Sequence, residues 1–78
     1  MEMLPLTSSN LAAAGYDPAT ETLEVEFKNG SIYQYSQVPP DTANGLFSAD
    51  SAGQYLHQRI KGQYEHTLIQ PAAPKIAA

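Results

Sequence analysis

Cysteine is absent from the 78-residue chain, so the protein can form neither a disulfide bond nor a thiolate metal site. Its two histidines, His57 and His66, have no other metal ligand near them at a recognisable spacing, and we expect no metal and no cofactor. No apolar run approaches the roughly 18 residues of a membrane-spanning helix. The first ten residues lack both the basic region and the long apolar core of a signal peptide. We therefore expect a cytoplasmic protein that makes no membrane contact.

Basic residues are scarce as well. The chain has four lysines and arginines and eight aspartates and glutamates, which gives a net charge of −4. Non-specific binding to nucleic acid requires cations that neutralise phosphates, so this charge balance argues against such binding over the whole surface. The sequence remains compatible with a local basic patch.

The stretch from Thr22 to Tyr35 carries the strongest structural signal. Apolar residues alternate with glutamates in its first half, which is the period of a strand with one buried and one solvated face. Its second half is rich in residues that favour strands. Asn29-Gly30 stands between the two halves, and an Asn-Gly step between two such runs strongly predicts a β-hairpin.

Two registers of this hairpin are open. A two-residue turn would place Tyr33 and Tyr35 on the same face as the glutamates. A three-residue loop, with Gly30 in the left-handed region, would instead pair Val25 with Tyr33 and Leu23 with Tyr35. Because a shift of one residue moves every side chain across the sheet, the hydrophobic pattern favours the second register. That register collects the apolar side chains on one face: Leu23, Val25, Phe27, Tyr33 and Tyr35.

The segment before the hairpin is ambiguous. Its three alanines favour a helix, whereas the sequence Gly-Tyr-Asp-Pro at positions 15–18 favours a strand that ends in a turn. A two-stranded hairpin alone is marginally stable in water and needs a further strand. We therefore predict a strand from Leu11 to Tyr16, antiparallel to the strand from Thr22 to Phe27.

Two helices are predicted after the sheet. The first runs from about Pro40 to Ala49, since proline is tolerated in a first helical turn and apolar residues recur there at helical spacing. The second begins after Ser51, whose S-x-x-Q pattern is typical of a helix N-cap, and runs to about Ile60. Gly62 then marks its C-terminal stop.

The predicted order of three strands and two short helices (βββαα) indicates an α+β fold. The helices would pack on one face of a three-stranded antiparallel sheet. We predict a flexible lead-in at residues 1–7, a single domain at residues 8–69 and a disordered tail at residues 70–78. The tail is predicted because this segment contains two prolines and mostly small side chains.

Several of these segments resemble the KTSC domain family. The resemblance covers roughly Ser8 to Leu68, and its central motif is Tyr33-Gln34-Tyr35, which follows the Asn29-Gly30 turn. The other matching segments are residues 15–17, 22–32, 38–39 and 51–64. This family is named for its occurrence at the C-terminus of some lysyl-tRNA synthetases, and it also occurs as small stand-alone bacterial proteins. The resemblance implies a stand-alone member, with RNA binding as the role suggested for the family.

Six residues are candidates for contact with nucleic acid. Tyr33 and Tyr35 project from one face of a strand, where they either stack on unpaired bases or pack under the helices. Arg59 and Lys61 lie close to Tyr64 in the sequence, where the two cations either form an anion-binding patch or complement the helix dipole. With Lys28 of the hairpin loop, the candidates are Arg59, Lys61, Tyr64, Lys28, Tyr33 and Tyr35.

No catalytic arrangement is recognisable in the sequence. Neither histidine has a nucleophile near it along the chain, and no glycine-rich loop for a phosphate is present. We therefore expect a small non-enzymatic binding module, with weak binding of single-stranded RNA as the first hypothesis. The alternative is a protein–protein interaction module that acts through a sheet edge or an exposed apolar patch.

Overall fold

A computed structural model describes residues 2–72 of the chain. Five strands form one antiparallel sheet whose order follows the chain, and two helices lie between the fourth and fifth strands. No helix within the described residues is long and apolar enough to cross a membrane. The elements are β1 (Leu4–Pro5), β2 (Leu11–Asp17), β3 (Thr22–Phe27), β4 (Ile32–Tyr35), α1 (Pro40–Ser48), α2 (Ala52–Tyr55) and β5 (His66–Gln70).

The hairpin of β3 and β4 has the register of the three-residue loop. Leu23 pairs with Tyr35, and Val25 pairs with Tyr33. Gly30, at the third loop position, has a φ angle of 94°, a conformation that glycine adopts without a Cβ clash. The register that the hydrophobic pattern favours is therefore confirmed, and it places these apolar side chains on one face of the sheet.

The ambiguous segment is a strand, as predicted, and a β-bulge explains its mixed pattern. β2 pairs with β3, and the register shifts between Leu11 and Ala13. A bulge inserts one extra residue into a strand and so changes which residues share a face. Leu11 and Ala14 are therefore both fully buried although they lie three positions apart, a spacing that is typical of a helix.

The α+β class is confirmed, but the predicted three-stranded sheet is wrong, because β1 and β5 extend it at both edges. β1 pairs with β2, and β5 pairs with β4. β1 lies within the predicted flexible lead-in and includes Pro5, whereas β5 is exposed at every position. Neither strand therefore shows the alternation of apolar and polar residues that predicts a strand. Each forms because an existing sheet edge offers unpaired backbone groups.

β5 also crosses the predicted start of the C-terminal tail. Gln70 is its last residue, and the side-chain amide of Gln70 donates a hydrogen bond to the carbonyl of Gly30 (2.9 Å). The sheet therefore extends past the predicted domain end at residue 69. Residues 73–78 of the predicted tail lie outside the described residues.

The core lies between one face of the sheet and the two helices. Leu23 and Val25 are fully buried on the sheet, and Leu46 of α1 packs into the same core. α2 continues into a π-helical turn (Leu56–Ile60), whose first and last residues are buried. The amide of Lys61 closes this turn by donating to the carbonyl five residues earlier (2.7 Å). Both helices therefore occupy the predicted ranges to within one residue at their C-terminal ends.

Ser51 caps the N-terminus of α2, as the sequence predicts. Its hydroxyl oxygen accepts a hydrogen bond from the amide of Gln54 (3.3 Å). We expect Ser51→Ala to lower the free energy of unfolding by about 1 kcal/mol, because this amide loses its partner at the helix end. The midpoint of chemical denaturation measures the change. Ser36→Ala is the control, since Ser36 is exposed and lies outside the helices, and equal midpoints for the two variants would contradict a stabilising cap.

Candidate nucleic-acid interface

Tyr33 and Tyr35 lie on the sheet face that carries the core. Tyr35 has only 3% of its surface exposed, and this burial, with a smaller contribution from the neighbouring Tyr33, raises the pKa of its hydroxyl. Tyr33 is half-buried, and its ring meets the rings of Phe27 and His66 edge-on, with centroid distances of 5.7 Å. The two tyrosines therefore form no open stacking platform, and Tyr33 instead supports the ring of Phe27.

Arg59 and Lys61 are exposed at the end of the π-helical turn, and Tyr64 follows them in a tight turn. Gly62 has a φ angle of 84°, and the amide of Tyr64 donates back to the carbonyl of Ile60 (3.3 Å). The Tyr64 ring packs half-buried against the core. The structure thus brings three of the predicted residues together within one turn of the chain.

Lys61 also lines a cavity of about 410 Å³ between the second helical segment and the sheet. A second cavity, of about 300 Å³, is lined by Lys28. Ser9, Asn10 and Phe27 line both cavities, which therefore adjoin, and we refer to the two together as the cleft. Lys28 and Lys61, which are distant in sequence, border this one cleft, whereas Arg59 lines neither cavity.

Hydrogen bonds from backbone amides hold the sheet side of the cleft in place. The hydroxyl oxygen of Ser8 accepts from the amides of Asn10 (3.2 Å) and Leu11 (3.1 Å), which shapes the loop before β2. The amide of Lys28 donates to the carbonyl of Asn10 (2.8 Å), so this loop and the hairpin loop are joined. Phe27 is half-buried beside the junction. Residues from two loops therefore form a single wall.

The helical side of the cleft is polar and carries no negative charge. Gln54, His57, Gln58 and Lys61 line it, and all four residues are exposed. None of the described residues that line the cleft is an aspartate or a glutamate. In a protein of net charge −4, the cleft is thus locally cationic and has hydrogen-bonding groups on both walls. Within residues 2–72, no group of three or more histidine, cysteine, aspartate or glutamate residues is placed to hold a metal ion.

Most residues of the cleft are absent from the candidates that the sequence indicates, among them Asn10, Phe27, His57 and Gln58. These four come from the loop before β2, the end of β3 and the π-helical turn, and only the fold brings these segments together. The one local signal is the spacing of His57 and Lys61, four residues apart, which is typical of a shared helix face.

Residues 7–64 of the chain match the KTSC domain. The chain belongs to the KTSC domain family. This match confirms the resemblance that the sequence motifs predict. The crystal structure of a KTSC domain protein from Yersinia pestis shares the fold, with a TM-score of 0.83 and 34% sequence identity, over 88% of this chain and 97% of that chain.

Two further relatives show the KTSC domain in different surroundings. An uncharacterized protein of Stutzerimonas stutzeri is 44% identical over 64 residues, which make up 82% of this chain and 90% of that protein. A lysine–tRNA ligase of a Nostoc species is 44% identical over 67 residues, which make up 86% of this chain but 12% of the ligase. The KTSC domain is therefore most of one small relative and a minor part of a tRNA ligase.

Proposed function

We propose that this KTSC domain is a non-enzymatic module that binds single-stranded RNA weakly. The observation that carries the proposal is the cleft, where Lys28 and Lys61 come together and no described lining residue is a carboxylate. These two residues are half of the four lysines and arginines in the chain. The lysine–tRNA ligase with a 44% identical segment supports RNA as the ligand class, since a tRNA ligase acts on an RNA.

The charge of the protein favours a single strand over a duplex. With eight carboxylates against four cations, most of the surface repels a phosphate backbone. A single strand exposes its bases, and the amide and aromatic side chains of the cleft are suited to contact them. Arg59 lies two residues before Lys61, and in this proposal both side chains neutralise phosphates of the bound strand.

The double variant Arg59→Ala, Lys61→Ala is expected to lose most of this binding, because it removes both phosphate contacts. Titration of a short, fluorescently labelled single-stranded RNA at low salt measures the dissociation constant. Arg59 and Lys61 together should contribute about −1.4 to the slope of log K against log salt in the unmodified protein. The double variant loses these two contacts, so its slope should be smaller in magnitude by about 1.4, and any slope that remains reports on Lys28.

The control variant changes the net charge by the same amount away from the cleft. Asn44→Asp combined with Thr67→Glu also lowers the net charge by two, at exposed residues that do not line the cleft. This control should keep most of the RNA affinity. Absence of RNA binding at low salt, or an equal loss of affinity in both double variants, would overturn the proposal.

A second candidate function rests on the outer edge of the sheet. β5 is exposed along its whole length, and Leu68 and Ile69 keep 48% and 50% of their surface exposed. Such an edge strand offers backbone groups that can pair with a strand of another protein. A protein–protein interaction role is the better account if no RNA binds in the titration above.

A further inference from the structure

The cleft has a size and a lining that suit one nucleotide. We infer that it holds a single nucleotide of the bound strand, with the base against Phe27 and the phosphate beside Lys61 or Lys28. This inference rests on the proposed function for its ligand class, and it adds a defined site to it. The site differs from the Arg59–Tyr64 turn, because its floor and its sheet-side wall come from other segments.

The larger cavity has the volume of a small-molecule site, and its lining combines an apolar floor with polar side chains. Its volume of about 410 Å³ lies within the range of roughly 300–1,000 Å³ that is usual for small-molecule sites. Leu11 and Leu56 are buried in its floor, and Phe27 is half-buried beside them. An apolar floor surrounded by polar side chains suits a nucleotide, which combines a flat base with a polar sugar and phosphate, better than it suits a hydrated ion.

Phe27 is placed to contact the base. It lines both cavities, and Tyr33 meets its ring edge-on at a centroid distance of 5.7 Å and an interplanar angle of 84°. This contact restrains the plane of the Phe27 ring before any ligand binds. A ring that is already oriented loses little conformational freedom on binding, so more of the stacking energy appears as affinity.

The polar residues around this floor suit the other parts of a nucleotide. Asn10 and Gln58 lie on opposite walls, and each side-chain amide has both donors and an acceptor, as recognition of a base edge requires. Lys61, His57 and Lys28 are the groups that can donate to a phosphate. No carboxylate among the described lining residues repels that phosphate.

An NMR titration of the full chain, labelled with ¹⁵N, with each ribonucleoside 5′-monophosphate tests the site. We expect chemical-shift changes at the amides of Asn10, Phe27, Gln58 and Lys61. The monophosphate should bind more tightly than either the nucleoside or inorganic phosphate alone, because the site contacts both parts. If inorganic phosphate bound as tightly as the monophosphate, the cleft would be a simple anion site, and the inference would be overturned. Shift changes confined to residues outside the cleft would overturn it as well.

Two exposed glutamines provide a matched pair of variants. Gln58 lines the cleft and Gln63 does not, so Gln58→Ala should weaken monophosphate binding by roughly 3- to 10-fold while Gln63→Ala leaves it unchanged. Phe27→Leu keeps an apolar side chain in the floor and removes the aromatic ring. It should weaken binding by about 5-fold or more. Unchanged affinity in both Gln58→Ala and Phe27→Leu would contradict the site.

The RNA titration separates this inference from the proposed function. If RNA binding depends on Arg59 and Lys61 but not on Phe27 or Gln58, the RNA-binding module stands and the nucleotide site fails. If monophosphates bind in the cleft and RNA does not bind, the cleft is a site for a free nucleotide and the RNA-binding module fails. If neither RNA nor the monophosphates bind, both the RNA-binding module and the nucleotide site are overturned.

Discussion

Replacing Leu23 with alanine is expected to lower the free energy of unfolding by about 2–5 kcal/mol, the usual cost of truncating a buried leucine. Leu23 lies on the middle strand of the sheet, is fully buried, and pairs with Tyr16 on one side and Tyr35 on the other. The expected loss includes the cavity left behind, because neighbours in a close-packed core relax only partially into it.

This loss is a large fraction of the total stability expected for a protein of this size. Small domains have about 0.05–0.15 kcal/mol of stability per residue, which amounts to about 4–12 kcal/mol for this chain. Chemical denaturation followed by circular dichroism measures the change. Leu68→Ala is the matched control, since it removes the same side chain from a position that is 48% exposed. Similar losses for the two variants would contradict a core centred on Leu23.

Gly45→Ala is expected to destabilise the protein by about 1–3 kcal/mol, although helix propensity alone predicts the opposite sign. Gly45 lies within α1, where alanine is ordinarily favoured over glycine by about 1 kcal/mol. The Tyr55 ring lies against this glycine, so an added Cβ atom would overlap the tyrosine oxygen and lie 2.5 Å from Cζ. The ring is held there by a hydrogen bond from its hydroxyl to the carbonyl of Thr42 (2.8 Å).

Two further variants test this steric explanation by thermal denaturation. Gly53→Ala is the control, because a Cβ atom there would lie 3.5 Å from the Ser8 hydroxyl oxygen, an ordinary van der Waals distance. We expect it to leave the stability unchanged or to raise it. Tyr55→Leu removes the atoms that Gly45→Ala would strike, so Gly45→Ala should cost less in that background. An equal cost in both backgrounds would show that the contact does not explain the loss.

Gly45 also has a role that no local sequence pattern indicates. Along the chain it is only a residue that weakens a helix. In the fold it is the point at which Tyr55 packs closely against α1, a contact between residues of two different elements. Helix propensity depends on the glycine and its own helix, and it takes no account of the Tyr55 ring that packs against Gly45.

Features that depend on near neighbours along the chain are predictable from the residues alone. The alternation in β3, with Gly30 in the loop, predicts the hairpin and its register, and Ser51 predicts the start of α2. The resemblance to the KTSC domain family is recognisable in the sequence for the same reason, since its motifs are short runs of adjacent residues. Each of these features is a periodicity or a cap whose physical cause lies within a few residues.

Features that join distant segments arise only when the whole chain folds. β1 and β5 become strands because a sheet edge is free to pair with them, and their own residues do not alternate. The cleft exists because the loop at Asn10, the hairpin loop at Lys28 and the π-helical turn before Lys61 meet in the fold. No local sequence pattern indicates these contacts, because the free energy that holds the segments together comes from the packing of the whole core.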